Sequence, residues 1–340
     1  MTAKPLSESH RLDPELVAEP INASVASRGG WRIIASKELA DAIQSIRFMV
    51  LLALIGLAAL ASVQAATGPI QDAASAASQT PSVFLLLFTL SADRVPAFHE
   101  FIGILGPLVG IALGFDAISA ERSERTLARL VAQPIHRDDV INGKFAAGVA
   151  AIAIVLTTVT AMVVAYGMWS LGQPPQPADL ARIAAFVVVA TTYIALWLAL
   201  AILVSVLVRR ASTAALVTIA AWLVFSLFAG LIAGILADGL SPIDNSDDLN
   251  QVLDNARTEL TVLRFSPDQL YTEATGVLLS PERQTTGILV LDVDTRTVPS
   301  TLSLTQSVLL AWWQVMAISA GAIAMFTIAY LIFLRQEVRA

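Results

Sequence analysis

Six apolar stretches dominate this sequence and constrain its fold more than any other feature. Each holds 18–27 residues, and a helix needs about 20 apolar residues to cross a bilayer. Only 14% of the 340 residues are charged, against about 25% in soluble globular proteins. The sequence therefore predicts an all-α polytopic membrane protein with six transmembrane helices. The predicted spans one to six are residues 46–63, 101–118, 145–170, 183–208, 212–236 and 308–334.

The distribution of basic residues predicts the orientation of these spans. Lys and Arg concentrate in the cytoplasmic segments of multi-pass proteins. If both termini are cytoplasmic, 15 of the 21 Lys and Arg residues lie inside. We therefore predict a multi-pass protein of the cell membrane with both termini inside (N-in/C-in). The first 45 residues contain no apolar core of a signal peptide, so we expect span one itself to act as the signal anchor.

The polar segments divide the chain into four predicted regions. Residues 1–30 form a flexible cytoplasmic N-terminus, and residues 31–236 hold an amphipathic elbow helix followed by spans one to five. Residues 237–306 form an extracytoplasmic insert, and residues 307–340 form span six and a cytoplasmic tail. Because the insert contains eleven acidic and four basic residues, we expect a small, mostly helical outer domain exposed to water.

Two helices and one strand are predicted within the insert. Apolar residues at helical spacing over 249–263 predict the first helix, with Ser246 as its N-cap. Ser266, Pro267 and Gln269 are typical of the start of a second helix, in which Gln269 would close a capping box. Residues 287–298 predict a strand or one arm of a β-hairpin.

The apolar run VFLLLFTL at residues 83–90 is too short to cross a membrane. We expect it to form a helix that lies at, or dips into, the outer membrane surface. The alternative is one arm of a helical hairpin that packs on span one.

The chain offers little of the chemistry that an enzyme or an ion-coupled carrier needs. It has no cysteine, and its three histidines are far apart, so no metal or cofactor is predicted. Its one Gly-Lys pair, Gly143-Lys144, is followed by Phe145 and lacks the other residues of an ATP-binding phosphate loop. The spans contain almost no ionisable side chain, which disfavours a secondary carrier. We predict a non-enzymatic membrane protein, and nothing predicts nucleic acid as a partner.

Span two contains a proline and four glycines, and three of these glycines lie within four residues of the proline. Pro107 is expected to kink the helix, while Gly103, Gly106 and Gly110 provide small surfaces for close helix contact. These residues would form either a flexible wall of a transport path or dimer seam, or a packing surface inside one subunit. The sequence favours neither interpretation.

The segment between spans two and three is highly charged in a chain that otherwise avoids charge. Residues 119–133 predict an amphipathic helix that Pro134 ends. Leu127, Leu130 and Val131 form its apolar strip, and charged residues cover most of the remaining surface. Such a helix can rest on anionic lipid or dock on a protein partner. The residues alone favour these two interpretations equally.

This segment resembles the signature between spans two and three of type-2 ATP-binding-cassette (ABC) transporter permeases. The family pattern runs from G-F-D through E-R-E-x-G-T-L and L-x-x-Q-P to G-K-F or G-K-L, and the chain departs from it where Ala120 and Arg125 replace glycines. "KELADAIQSIRF" is similar to the family's elbow helix. "LRQEVRA" is similar to the C-terminus of the branch that includes the nitrous-oxide-reductase maturation permease. The matching positions are Phe115, Asp116, Glu121, Arg122, Thr126, Leu127, Gln133, Pro134, Gly143, Lys144 and Phe145.

The resemblance implies the permease subunit of an ABC exporter, working as a homodimer or heterodimer with a separate cytoplasmic ATP-binding subunit. That subunit would dock on residues 119–133, the coupling helix, and membrane lipid would surround the spans. The alternative is a non-transporting membrane assembly factor or scaffold that binds a partner protein through the acidic insert. The expected docking residues are Glu121, Arg122, Arg125, Leu127, Arg129 and Leu130.

Overall fold

The computed structural model describes residues 30–76, 83–92, 95–120, 137–243, 248–283, 285–286 and 301–336. These residues form helices joined by short connections, with no strand among them. Five described helices are long and apolar enough to cross a membrane, and another apolar helix is shorter. The predicted all-α polytopic fold is confirmed.

The described helices follow the order of the predicted spans. They are α1 (Gly30–Gln44), α2 (Ile46–Ala76), α3 (Leu86–Thr89), α4 (Phe98–Gly114), α5 (Arg137–Leu171), α6 (Pro177–Leu207), α7 (Ala211–Leu223), α8 (Ala229–Leu240), α9 (Leu249–Leu263), α10 (Pro267–Leu279) and α11 (Leu304–Arg335). Spans one to four correspond to α2, α4, α5 and α6, span five is divided between α7 and α8, and span six corresponds to α11.

The helices differ in length from the apolar runs that predicted them. α5 has 35 residues and begins at Arg137, well before the predicted span. Asp138 and Asp139 lie inside its first turn, where the helix dipole favours negative charge. α4 has 17 residues, about 25 Å at 1.5 Å per residue, slightly less than the ~30 Å hydrocarbon core.

α6 lies at the centre of the bundle and is the most buried of the long apolar helices. α4, α5, α10 and α11 all pack against it. Its large side chains Phe186, Tyr193 and Trp197 are fully enclosed. Because lipid is as apolar as these side chains, close packing rather than removal from water holds the helices together here, and α6 supplies much of the common core.

Span five is divided by a π-helical turn at Val224–Phe228. Before the turn, α7 packs on α4 and α6, whereas after it α8 packs on α9. A π-helical turn interrupts the regular hydrogen-bond ladder of a helix. Here the Phe225 carbonyl accepts a hydrogen bond from Ser266 Oγ at 2.7 Å. The turn therefore lies where span five changes its packing partner, and the start of α10 holds it there.

The short run 83–90 is buried among other helices. It forms a 3-10 turn at Val83–Leu85 followed by α3, and α3 contacts α2, α4 and α10. Phe88 makes edge-to-face contacts with Phe98 and Phe186. The run thus packs on span one, as in the alternative prediction, because its side chains, all apolar except that of Thr89, find helix partners on several sides.

The insert forms two helices that pack against the spans. α9 contacts α8, and α10 contacts α4, α6 and α11. The two predicted helices are therefore present, but they do not stand apart as a solvated layer. Nine of the 13 residues of α10 are buried, because apolar side chains cover several sides of this helix and each side meets a neighbour.

The caps of the two insert helices differ partly from the prediction. Asp248 caps α9 by accepting the Asn250 N–H at 3.0 Å, and the predicted cap, Ser246, lies outside the described residues. Ser266 caps α10 as predicted. The predicted capping box is wrong, because the Ser266 N–H already donates to a backbone carbonyl of α9 at 2.8 Å and the Gln269 amide bonds elsewhere. The predicted strand at 287–298 lies outside the described residues.

Candidate functional site

The six predicted docking residues lie within residues 121–136, outside the described part of the structure. Their arrangement therefore stays a prediction. The structure describes both ends of this segment, up to Ala120 and from Arg137 onward. The contacts of these two ends define where the segment attaches to the bundle.

Two ion pairs attach the ends of the segment to span one and to the elbow helix α1. Arg47, at the start of α2, pairs with Asp116, which follows α4. Lys144 Nζ lies 3.1 Å from Glu38 Oε1 and joins α5 to α1. The second pair is the more buried, so water and salt screen it less. A cavity of about 240 Å³ lies among the charged groups of Glu38, Asp116 and Lys144.

The exit from span two is also attached to span four. Ser205 Oγ, near the end of α6, accepts the backbone N–H groups of Ile118 and Ser119 at 3.1 and 3.0 Å. All three residues are buried, and an unpaired buried donor costs about 1–3 kcal/mol. Ser205 therefore holds the chain against α6 directly before the predicted coupling helix.

Both ends of the segment lie at one end of the bundle, together with other basic connections. The ends of α6 and α11 meet here, where Gln336 Nε2 donates to the Val206 carbonyl at 3.2 Å. Arg209 and Arg210 follow α6, and Arg335 ends α11. This clustering of basic residues is what the N-in/C-in prediction expects of the cytoplasmic side.

The glycines of span two face other helices of the same subunit. A Cβ added at Gly110 would lie 2.6 Å from the Ile194 carbonyl oxygen of α6, and one at Gly106 would also meet this isoleucine. A Cβ at Gly103 would lie 3.1 Å from a tyrosine ring of α10. Pro107 is buried as well. These are contacts inside one subunit, and the role in a transport path or dimer seam stays a prediction.

A buried polar cluster that the sequence did not predict joins the insert to span six. Glu273 of α10 is 2% exposed, and Arg264 Nε donates to its Oε1 at 3.0 Å. Gln314 of α11 donates to its Oε2 at 2.9 Å. The Arg264 guanidinium also lies over the Trp313 ring, 5.1 Å from the centroid. The buried carboxylate thus has both a cation and further donors, as a buried charge requires.

Arg182, near the start of α6, is a second buried cation at the insert. It is 4% exposed, and its guanidinium donates to the Leu278 carbonyl at 2.8 Å and to Ser307 Oγ at 3.0 Å. It also donates to the Leu302 carbonyl. Because the last carbonyls of a helix lack helical partners, this one side chain satisfies the end of α10 and ties it to the start of α11.

Sequence reasoning missed these residues because it separated the chain by charge. The spans were recognised by their lack of charge, and the acidic residues of the insert were assigned to water. One signal in the sequence points the other way: in PDQLYTEATGVLL, apolar and small residues occupy nearly every side of the helix. Such a helix is buried in a protein core, and its carboxylates then need partners.

Comparison with known families decides what this bundle is. The family described as "ABC-2 family transporter protein" matches residues 32–338, nearly the whole chain. The chain belongs to the ABC-2 transporter family. This ABC-2 protein is therefore a multi-pass permease subunit of an ABC transporter.

The family also fixes the general setting of this ABC-2 permease. Such subunits normally lack ATPase motifs, and the family implies an ABC ATP-binding partner and dimerisation in general terms. The resemblance to the branch of the nitrous-oxide-reductase maturation permease stays a prediction, since the match is to the family as a whole. No curated protein matches the chain.

Proposed function

We propose that this ABC-2 permease is an exporter of the cell membrane, driven by a separate cytoplasmic ATPase that docks on residues 119–133. The observation that carries the proposal is the family match over residues 32–338. The matched region includes the segment in which the coupling-helix residues occur in the family's order. Because the chain contains no phosphate loop of its own, the energy for export must come from such a partner.

The contacts at both ends of the segment support a mechanical role. A movement of the segment would reach span two through Asp116 and Ser119, and span three through α5. The ion pairs with Arg47 and Glu38 connect the same points to span one and the elbow helix. ATP-driven movement of the docked subunit would therefore displace several helices of the permease together.

The proposed docking face combines an apolar strip with charges. Leu127 and Leu130 would fill an apolar groove on the ATPase, while Arg122 and Arg125 would pair with its acidic residues. Burying one leucine stabilises a complex by about 2 kcal/mol, whereas an exposed ion pair contributes at most about 1 kcal/mol. The leucines should thus contribute most of the affinity, and the charges should select the correct partner.

Co-purification of the tagged permease in mild detergent tests the docking. We expect a stoichiometric ATP-binding subunit with the unaltered permease, and its loss with Leu127→Asp, because a charge would enter the apolar groove. Ala132→Asp adds the same charge to the same segment, on the helix face opposite the apolar strip, and should retain the ATPase. Full retention by Leu127→Asp would contradict the docking assignment.

A transport measurement separates an exporter from an assembly factor. Inside-out membrane vesicles that contain the complex should accumulate a compound from a cytosolic extract when ATP is added. Mass spectrometry of the vesicle contents, with a non-hydrolysable ATP analogue as control, would detect it. A bound ATPase without ATP-dependent accumulation of any compound would favour the assembly factor.

A further inference from the structure

The two acidic side chains that α10 turns toward the bundle have different partners. Glu273 is paired with the Arg264 guanidinium and the Gln314 amide. Asp268, in the first turn of the same helix, takes part in no ion pair among the described residues. Its side-chain partner is the hydroxyl of Tyr193 on α6.

The hydrogen bonds around Asp268 fit a protonated carboxyl better than an ionised one. The Tyr193 hydroxyl lies 3.3 Å from Asp268 Oδ1 and 3.0 Å from the Gly103 carbonyl oxygen, and it has a single proton to donate. If Tyr193 donates to the carbonyl, its own oxygen can accept from a protonated Asp268. The neutral acid completes a directed chain, whereas a carboxylate competes with the carbonyl for one proton.

This site lies deep in the bundle. Tyr193 follows the first residue of α6 by 16 positions, about 24 Å at 1.5 Å per residue. Its buried ring stacks on the ring of Tyr271, with the centroids 4.5 Å apart. Burial raises the pKa of Asp268 to about 6, and the hydrogen bond from Tyr193 opposes this only in part. The N-terminal end of α10 favours the carboxylate by less than about a tenfold change in proton affinity, which is smaller than the effect of burial.

The other titratable groups near the site do not supply a cation to Asp268. Arg182 is bonded to backbone and hydroxyl groups at the opposite end of α10, and Arg264 is paired with Glu273. Within the described residues, α3 and the π-helical turn carry no titratable side chain. The other elements that pack on α10, and the two chain segments next to it, contribute the following titratable residues: His99 and Glu100 of α4, Asp179, Arg182 and Tyr193 of α6, Tyr330 and Arg335 of α11, Arg264 before α10, and Glu282 and Arg283 after it.

We propose that Asp268 is a proton-binding site whose occupancy controls how firmly α10 sits between α4 and α6. With the proton bound, the hydrogen bonds from Asp268 to Tyr193 and from Tyr193 to the Gly103 carbonyl are both made, and they hold α10 against α4 and α6. Without it, a partly buried carboxylate that lacks a cation remains between the helices, which weakens the packing of α10 against them. This inference does not depend on the proposed docking of an ATPase.

The sign of the pH dependence follows from linkage. Asp268 binds the proton more tightly when α10 is packed between α4 and α6 than when Asp268 is exposed to water, because this packing raises its pKa from 3.8 to about 6. The stabilisation is therefore fully present below about pH 4 and is lost as the pH rises through about 6. The equilibrium constant for packing α10 between α4 and α6 therefore falls by about a hundredfold, the factor that corresponds to a pKa difference of about two.

A single introduced cysteine can report on α10 alone, because the chain has no cysteine of its own. Thr275 is fully buried in α10. In the purified full-length permease, the Thr275→Cys thiol should therefore react with a maleimide only when α10 separates from the helices around it. Gln173→Cys, in the exposed connection between α5 and α6, corrects for the titration of the thiol itself. We expect the corrected rate to rise by up to about 25-fold between pH 4.5 and pH 7.5, because an exposed Asp268 is already mostly ionised at pH 4.5.

Two further variants decide whether Asp268 causes this change. Asp268→Asn, which mimics the neutral acid, should keep the corrected rate low at both pH values. Asp254→Asn makes the same change at an exposed residue of α9 and should leave the pH dependence intact. A corrected rate that does not change with pH, or a change that survives Asp268→Asn, would overturn the proposal. So would failure of Asp268→Asn to fold at pH 4.5, where the proposal makes the native side chain neutral.

Discussion

Two buried residues show how single positions stabilise the contacts between helices in this permease. One carries a charge whose partners are all present, and the other has no side chain. Glu273 keeps its charge in the interior because Arg264 and Gln314 both donate to it. Gly110 acts in the opposite way, since the backbone of α6 occupies the space where a Cβ would lie. Both residues hold together helices that are far apart in sequence, and each can be tested against a matched exposed position.

Glu273→Gln should destabilise the folded permease by about 2–3 kcal/mol. The substitution keeps the shape of the side chain but removes the charge that Arg264 needs, and breaking a buried pair costs about 3–5 kcal/mol. The partial exposure of Arg264, 29%, reduces that cost. Asp254→Asn breaks the exposed pair with Arg257 and should change stability by less than about 1 kcal/mol. Denaturant unfolding in detergent measures both, and equally small losses would refute a stabilising role for Glu273.

Gly110→Ala should destabilise the permease by about 2 kcal/mol, because overpacking of a close helix contact costs about 1–3 kcal/mol. The new methyl group would meet the Ile194 carbonyl, and backbone atoms cannot turn aside. Gly234→Ala in α8, where nothing lies within 4 Å of the new Cβ, should be neutral or stabilise by up to about 1 kcal/mol. Thermal unfolding compares the two, and an unchanged melting temperature for Gly110→Ala would show that α4 and α6 can separate at no cost.

At the scale of elements, span five and the insert form one connected unit. α8 and α9 pack together, and α10 returns to the π-helical turn in which span five changes its packing partner. Ser266 joins these parts, since its hydroxyl donates to the Phe225 carbonyl and accepts the N–H of Asp268. One hydroxyl thus starts α10 and stabilises an irregular turn in another helix.

Ser266→Ala should loosen the π-helical turn as well as weaken the start of α10. Loss of an N-cap costs about 1 kcal/mol, and the freed Phe225 carbonyl would lose its partner. Ser303→Ala removes the N-cap of α11 but no hydrogen bond to another helix among the described ones. Hydrogen–deuterium exchange should therefore speed up over Val224–Phe228 only in Ser266→Ala. The same protection of that turn in both variants would contradict the role given to Ser266.

At the scale of the whole molecule, the basic connections and the acidic insert lie at opposite ends of the bundle. The ion pairs of the elbow helix, Ser205 and the ends of α6 and α11 belong to one end. Arg182, the end of α10 and the start of α11 belong to the other. Because of this separation, labelling one residue at each end of the bundle is enough to test the predicted orientation of the permease.

Cysteine labelling in intact cells should reveal the orientation directly. With a membrane-impermeant maleimide, Gln173→Cys between α5 and α6 should react in whole cells. Arg210→Cys between α6 and α7 should react only after the membrane is permeabilised, because basic connections stay cytoplasmic. The reverse labelling pattern would invert the topology and place the segment 119–133 out of reach of any cytoplasmic ATPase.

The spans were predictable from sequence, whereas the contacts among them were not. Hydropathy is a local property, so runs such as 183–208 identify a helix without knowledge of its neighbours. The contact between Tyr193 and Asp268 joins residues 75 positions apart. The sequence around one of these residues gives no indication that it contacts the other. Gln269 satisfied a local capping pattern but failed because a backbone carbonyl of α9 already occupied the N–H it needed. The docking residues rest on the family resemblance, since charge and spacing alone fit lipid equally well.

The central position of α6 has a consequence for how the chain is made. The partners of the Arg182 guanidinium lie 96 to 125 residues further along the chain, so they leave the ribosome long after α6 has entered the membrane. Until the insert and the start of span six follow, this guanidinium must use temporary partners. The middle of the permease is thus among the last parts to close during biosynthesis. Chains that end before residue 307 should present α6 to the cell's quality-control proteases.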